Sequence, residues 1–380
     1  MPQQSSPTFF AHFAKLEDQR IDRTKHHQLL DVVFIAVCAV IGGANDFVGM
    51  EKFGRSKKEW FKKFLDLPNG IPSHDTFGRI FAALKPEAFC ECFLSWIRTL
   101  HETTAGELVN IDGKTLRASL DRAKGKNALH VVSAWATANR LCLGQVVVDA
   151  KSNEITAIPK LLEMLEVRGA VVTIDAMGCQ KDIAAQIVDQ GADYVLAVKG
   201  NQEHLEEDII NHFADCDESP QLHGKASVHE DHDSKHGREE NRYYEARPIP
   251  EELRNQNAWK GLKSIVRVTR VYTDKGQPKS ETRFFISSLP ANAKRLAYAV
   301  RGHWGIENDL HWVLDMYFAE DRSRAREGHA AANFALLRRW VLSILRQTKS
   351  VTGSMEKKRQ QAGWNNATLE AILEGLSDTI

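Results

Sequence analysis

Residues 108–213 carry the strongest constraint on the fold. LVNID, LHVVSAWAT and CLGQVVVDA are three strand-like runs in quick succession. Then the pattern alternates. TAIPKLLEMLEVRG reads as a helix, with Ser152, Asn153 or Thr156 near its start, and AVVTIDAM as a strand. QKDIAAQIVDQG is a helix closed by Gly191, DYVLAVKG a strand and NQEHLEEDIINHF a helix. Few topologies satisfy the order βββαβαβα. Closely linked strands pair antiparallel, and strand–helix–strand units return right-handed to parallel strands. The expectation is an α/β fold: a mixed five-stranded sheet with helices on both faces.

The flanks read differently. Residues 1–105 are mainly helical and read as an N-terminal helical domain, with DNA binding as one reading. LLDVVFIAVCAVIGGA, interrupted by Asp31, is too short for the ~20 residues of a membrane span and reads as a buried helix. Pro72 and Ser73 signal a helix start, with Phe77, Ile80, Phe81 and Leu84 at helical spacing. EKFGRSKKEWFKKFLDL interleaves Lys and Arg with Trp60, Phe61 and Phe64; this is either an amphipathic helix with a solvated face or a DNA-contacting helix around Arg55–Lys63. The α/β domain is expected over 106–350, interrupted by a β-rich insertion at about 214–283 whose first half is polar and turn-rich and whose second half holds two strands around Gly276. Residues 351–380 read as a tail with one short helix.

GKT at 113–115 suggests a phosphate-binding loop, but position 108, where a Walker loop needs glycine, is Leu. Attention therefore moves to Asp112. It ends the first predicted strand and Asp175 ends the fourth, and in the predicted sheet those strands are parallel neighbours with their C-terminal ends side by side. Each aspartate alone reads as a turn cap. Together they form a repelling pair that a cation must offset, and hard divalent ions, chiefly Mg²⁺, suit oxygen ligands. Glu307 shares a helical face with His303, Leu310, His311, Leu314 and Phe318, so it either pairs with a cation or binds metal. Asp315 can approach from the same helix.

Equal totals of 50 basic and 50 acidic residues leave any DNA-binding surface a local matter. Six scattered cysteines without a Cys-x-x-Cys pair, and a start without a signal-peptide pattern, point to a reduced cytoplasmic protein. His229, His232 and His236 have conceivable metal spacing but read as a solvated loop.

The motifs NIDGKTLRAS, VVSAWA, KSNEITAIPKLLE, TIDAMGCQ, YVLAVKGNQ, RGHWGIEN through the acidic and arginine-rich stretch to Arg326, and NFALLRR span about 108–346. In these the chain resembles the H-repeat-associated insertion-sequence transposases, a branch of the Asp-Asp-Glu transposases. The resemblance implies an RNase-H-like core. It implies two-metal cleavage and strand transfer of insertion-sequence ends on double-stranded DNA, without a covalent protein–DNA intermediate. It also implies a nucleoid-associated protein, with a homodimer on DNA among the expectations. Asp112 would bridge two Mg²⁺ or Mn²⁺ ions, with Asp175 on one and Glu307 on the other. A catalytically inactive DNA-binding relative, or a metal nuclease that cuts without joining, are the alternatives.

The wider superfamily often carries Tyr, Arg and Lys around the Glu. Here those places hold Val300, His303 and Leu314. Phosphate contact is expected instead from His303, from Arg322, Arg324 and Arg326 with Arg301 nearby, and from Lys114 and Lys199, for each of which an ordinary surface lysine is the competing reading.

Overall fold

A computed structural model describes residues 8–21, 23, 25–100, 105–121, 124–125, 127–148, 154–219, 226–234, 239–274 and 276–374. Ser152, Asn153 and His236 lie outside these residues.

The first three strands, β1 (Leu108–Thr115), β2 (His130–Ala136) and β3 (Leu141–Val148), form an antiparallel meander. β4 (Val171–Ile174) and β5 (Asp193–Val198) then add in parallel beside β1. The resulting order β3-β2-β1-β4-β5 is that of an RNase-H-like core. The strand ends of β1 and β4 are adjacent, as the βββαβαβα order requires.

The β-rich segment extends this sheet. β9 (Gln277–Ser287) pairs antiparallel with β5, followed outward by β8 (Ser264–Asp274), β7 (Glu240–Pro248) and β6 (Ser227–Asp233), giving nine strands in one sheet among the described residues. β6 and β7 correct the expectation of a polar loop. In β7 the alternation of ENRYYEARP buries Tyr244 and Ala246, while SVHEDHD in β6 is polar on both faces and hides its period. His229 and His232 therefore sit on a strand, beside Asp231 at 3.0 Å and Asn241 at 2.6 Å.

The N-terminal helices are α1 (Thr8–Phe13), α2 (Leu29–Ile41), α3 (Phe47–Ser56), α4 (Lys58–Phe61), α5 (His74–Ala83) and α6 (Pro86–Leu100). The Ser73 hydroxyl accepts from the Thr76 amide and caps α5. α7 (Glu154–Met164), α8 (Lys181–Asp189) and α9 (Glu203–Glu218) follow the crossovers. α10 (Ala293–Gly305) lies across β1, β4, β5, β6 and β7 on one sheet face. α11 (Trp312–Phe318) and α12 (Ala330–Gln347) complete the core, and α13 (Met355–Trp364) and α14 (Asn366–Glu374) end the chain.

The N-terminal helices share one apolar core with the sheet and α12. Phe13 stacks on Trp340 at 4.6 Å, and Asn333 Nδ2 donates to the carbonyls of Phe81 and Leu84. The tail is held likewise, with two helices rather than one among its described residues: buried Arg359 donates to the Val40 carbonyl at 3.1 Å, and Trp60 Nε1 donates to Glu370 at 2.6 Å. Trp60 and Phe61 are thus core residues, which favours the amphipathic reading of that helix. Among the described residues no helix is long and apolar enough to cross a membrane.

Candidate active site

Side chains alternate across a strand, so Asn110, Asp112 and Lys114 share one face of β1. Asp175 follows β4 and caps the next turn, accepting from the amides of Met177 at 3.0 Å and Gly178 at 3.4 Å. Its reading as a turn cap is therefore correct, and the cap also orients its carboxylate. The loop after β5 is tied to the same turn: Asn201 Nδ2 donates to the Ala176 carbonyl at 2.7 Å and Gln202 Nε2 to that of Cys179 at 2.9 Å. Exposed Lys199 consequently lines the same cleft as Asp175, a space of about 740 Å³ between α10 and the extended sheet.

Glu307 departs from the sequence reading. Residues Ile306–His311, between α10 and α11, form a π-helical turn, so the regular α spacing breaks there. Leu310, Leu314 and Phe318 are buried, but Glu307 is exposed rather than part of an apolar face. π turns recur at functional sites because they displace a side chain from the helix register.

Asp112 feels both of the other acids. Burial, then Asp175, and more weakly Glu307 and Glu154, push the Asp112 carboxyl up to about 7, against the pull of the Gly113 amide. The imidazole of His311 stands with Nδ1 3.4 Å from Asp112 Oδ2. Burial, with Arg339 and Lys114 adding to it, pushes His311 down to about 3, so it is neutral and offsets none of this charge. An oxygen-donor set with excess negative charge suits a hard divalent ion in chemistry and in charge. Among the described residues, no group of three or more His, Cys, Asp or Glu side chains is drawn together tightly enough to hold an ion as arranged.

Two expected phosphate contacts are engaged elsewhere. Lys114 reaches Asp315, and Glu320 at 3.1 Å, with its side chain 10% exposed. His303 is half-buried on the wall of the cleft, its Nδ1 2.8 Å from Thr173 Oγ1, and desolvation pushes it down to about 4, so at neutral pH it carries no charge to offer. Arg322, Arg324 and Arg326 are exposed, with Arg326 Nε donating to the Ala118 carbonyl at 2.9 Å. Arg301 pairs with Asp233 at 2.6 Å.

Sequence reasoning missed four participants. His130 and Glu154, buried and 2.5 Å apart, pack under Gly113. Glu320, fully buried with Arg339 at 2.6 Å, accepts from Lys114 at 3.1 Å. A buried acid in a stretch as polar as AEDRSRAR gives no periodic signal that would single it out.

Residues 104–344 match the family model of the transposase DDE domain, and residues 10–97 match that of the segment associated with it. "Putative transposase YncI" of Escherichia coli O157:H7 is 42% identical over 93% of this chain and 90% of its own length. "H repeat-associated putative transposase YhhI" of Escherichia coli strain K12 is 38% identical over 96% of this chain and 97% of its own length. A shorter relative from the same strain, "Inactive transposase YbfQ", is 41% identical over 54 residues, 14% of this chain and 64% of that one. Among solved structures, a piggyBac transposase synaptic complex with hairpin DNA aligns over 95% of this chain and 76% of that chain, at 10% identity and TM-score 0.44.

Proposed function

This chain belongs to the transposase DDE-domain family, and from that premise we propose that it cuts insertion-sequence ends and joins them to target DNA, using Asp112, Asp175 and Glu307 to hold divalent metal. The observation that carries the reading is the parallel register of β1 and β4, Ile111 opposite Ile174, which sets Asp112 and Asp175 at adjacent strand ends, where burial, Asp175 and Glu307 together raise the Asp112 carboxyl. A chain that spends folding free energy on mutually repelling acids recovers it when a cation binds.

Asp112, Asp175 and Glu307 would supply the carboxylates that hold the divalent ions. When bound, Mg²⁺ or Mn²⁺ would activate the attacking oxygen and stabilise the leaving 3′-oxygen of an in-line phosphoryl transfer. The chain's own part is positioning. The Met177 and Gly178 amides orient Asp175. His311 stays neutral beside Asp112 and leaves its charge for the metal. Lys199, in the cleft with Asp175, meets the incoming phosphate, and the exposed Arg322, Arg324 and Arg326 extend the contact along the backbone. The protein would act in the cytoplasm, on the nucleoid, as a homodimer on DNA.

One observation favours a second reading, an inactive DNA-binding relative: the superfamily's Arg and Lys places around the Glu hold His303, an uncharged imidazole on the cleft wall, and Leu314, which is buried. Single-turnover assay of a pre-cut element end with Mg²⁺ or Mn²⁺ separates the readings. Joining to target DNA is the expected result. Hydrolysis alone indicates a nuclease, and binding without either indicates the inactive relative.

A further inference from the structure

Asp112 is flanked on its own strand by two side chains that grip the helix carrying Glu307. On one side, Asn110 Nδ2 donates to the Gly302 carbonyl at 2.8 Å, and Asn110 Oδ1 accepts from Thr173, whose hydroxyl meets His303 at 2.8 Å. This hold lies about one turn before Glu307. On the other side, the Lys114 ammonium meets the Asp315 carboxylate, the His311 carbonyl at 3.4 Å and Glu320 at 3.1 Å. This second hold lies beyond Glu307. Between the two runs the π turn.

The second hold is built deep. Glu320 accepts from Arg339 Nη1 at 2.6 Å, and Arg339 Nε donates to Ser133 Oγ at 3.1 Å. Ser133 is the β2 residue directly opposite Asp112. The side chains of Glu320 and Arg339 are fully buried. Burial alone would raise the Glu320 carboxyl, but Arg339 and Lys114 draw it down to about 2, so it stays ionised and keeps its two cations. Taking three charges out of water is costly and persists only where the partners are well made. The arrangement has two effects. It fixes β1 to α11 across the π turn that carries the exposed Glu307. It also turns the ammonium nearest Asp112 in sequence toward Asp315 and Glu320.

We infer that Lys114 is a positioning residue, a strand-to-helix clamp that sets Glu307 relative to Asp112, with Glu320 and Arg339 holding its ammonium in place. This inference rests on the reading of Asp112 and Glu307 as members of one metal-holding set.

The clamp can be read without catalysis. The six native cysteines are buried, so spin labels attach selectively at Arg117→Cys and Met316→Cys, two exposed positions on either side of the clamp. In the otherwise unaltered chain the label distance should be narrow. In Lys114→Met it should broaden or shift, and Mn²⁺ binding should weaken roughly 10–100-fold, the usual effect of losing a group that orients a metal ligand. DNA binding in chelator should be unchanged, and Lys114→Arg should restore most of the Mn²⁺ affinity. Asp315→Asn opens the same clamp at its more exposed end, and provides the test should Lys114→Met fail to fold. An equally narrow, unmoved distance with parental Mn²⁺ affinity in a folded variant overturns the clamp. A parent that neither binds Mn²⁺ nor joins ends overturns the reading of the site instead.

Discussion

A Cβ on Gly113 would overlap the carboxylate of Glu154 and the imidazole of His130. The residue after Asp112 is therefore confined to glycine by a buried pair that neither free space nor solvent relieves, since His130 is 1% and Glu154 4% exposed. This relationship links the strand that carries Asp112 to the start of α7 beneath it.

Gly113→Ala should push that pair apart and displace Asp112. Overpacking a closed site costs typically about 1–3 kcal/mol. Urea unfolding should show a loss of that order, and Gly113→Ala combined with Glu154→Ala should lose less than the two single changes summed. A parental unfolding midpoint for Gly113→Ala would mean the close approach is not there.

Glu320 gives a pH signature. Its folded carboxyl is held at about 2, below the ordinary value of 4.5, because Arg339 and Lys114 outweigh the effect of burial. An acid held low stabilises the fold above its unfolded value and loses that contribution as pH falls from about 4.5 through 2. Glu320→Gln leaves two cations buried without their acid, which costs on the order of 3–5 kcal/mol at neutral pH. The difference in unfolding free energy between parent and variant should be full at pH 7 and shrink steadily below pH ~4.5. A difference independent of pH down to 2 would show that packing, not charge, is what the variant lacks.

DNA contact can be assigned by salt dependence. Arg324 and Arg326 line a groove with His74 and Arg79 of α5, and Arg322 is exposed close by. Lys62, by contrast, pairs with Glu59 at 2.8 Å. Arg322→Glu with Arg324→Glu should lower DNA affinity and reduce the steepness of its salt dependence, by roughly 0.9 in the logarithmic slope for each phosphate no longer neutralised. Lys58→Glu with Lys62→Glu should do less. Equal effects at both places would return the α3–α4 surface to the DNA interface.

The sheet core was legible because its signals are local and regular. Apolar runs at VVTI and YVLAV, each closed by a turn and followed by a helix, leave one sensible topology, and the adjacency of Asp112 and Asp175 follows from it. What escaped notice was either irregular or polar. A π turn inserts one residue into a helical period, so the face inferred for Glu307 from continuous α spacing was wrong. The β6 strand SVHEDHD alternates in exposure but not in hydrophobicity. The partners of Lys114 lie 201 and 206 residues away, and no pattern within either segment foretells such a pair.

The triad itself is tested by removing charge while keeping shape. Asp112→Asn should lower cleavage and joining by at least about a thousandfold, since stabilisation of phosphoryl charge by metal is worth several kcal/mol and roughly 1.4 kcal/mol is a factor of ten. Asp175→Asn and Glu307→Gln should do the same, and the three losses should not add, because residues that hold one metal set act as a unit. DNA binding in chelator should hold or tighten slightly, with one fewer negative charge beside the phosphates. In chelator at pH 8 Asp112→Asn should also be the more stable protein. The parent's carboxyl, raised to about 7 by burial and by Asp175 and Glu307, is there ionised against its neighbours, whereas Asn carries no charge. Three unrelated structural acids would give separate losses of melting temperature and no selective loss of cleavage. A variant at any of the three positions that folds, binds DNA and still cuts near the parental rate in Mg²⁺ removes that residue from the set.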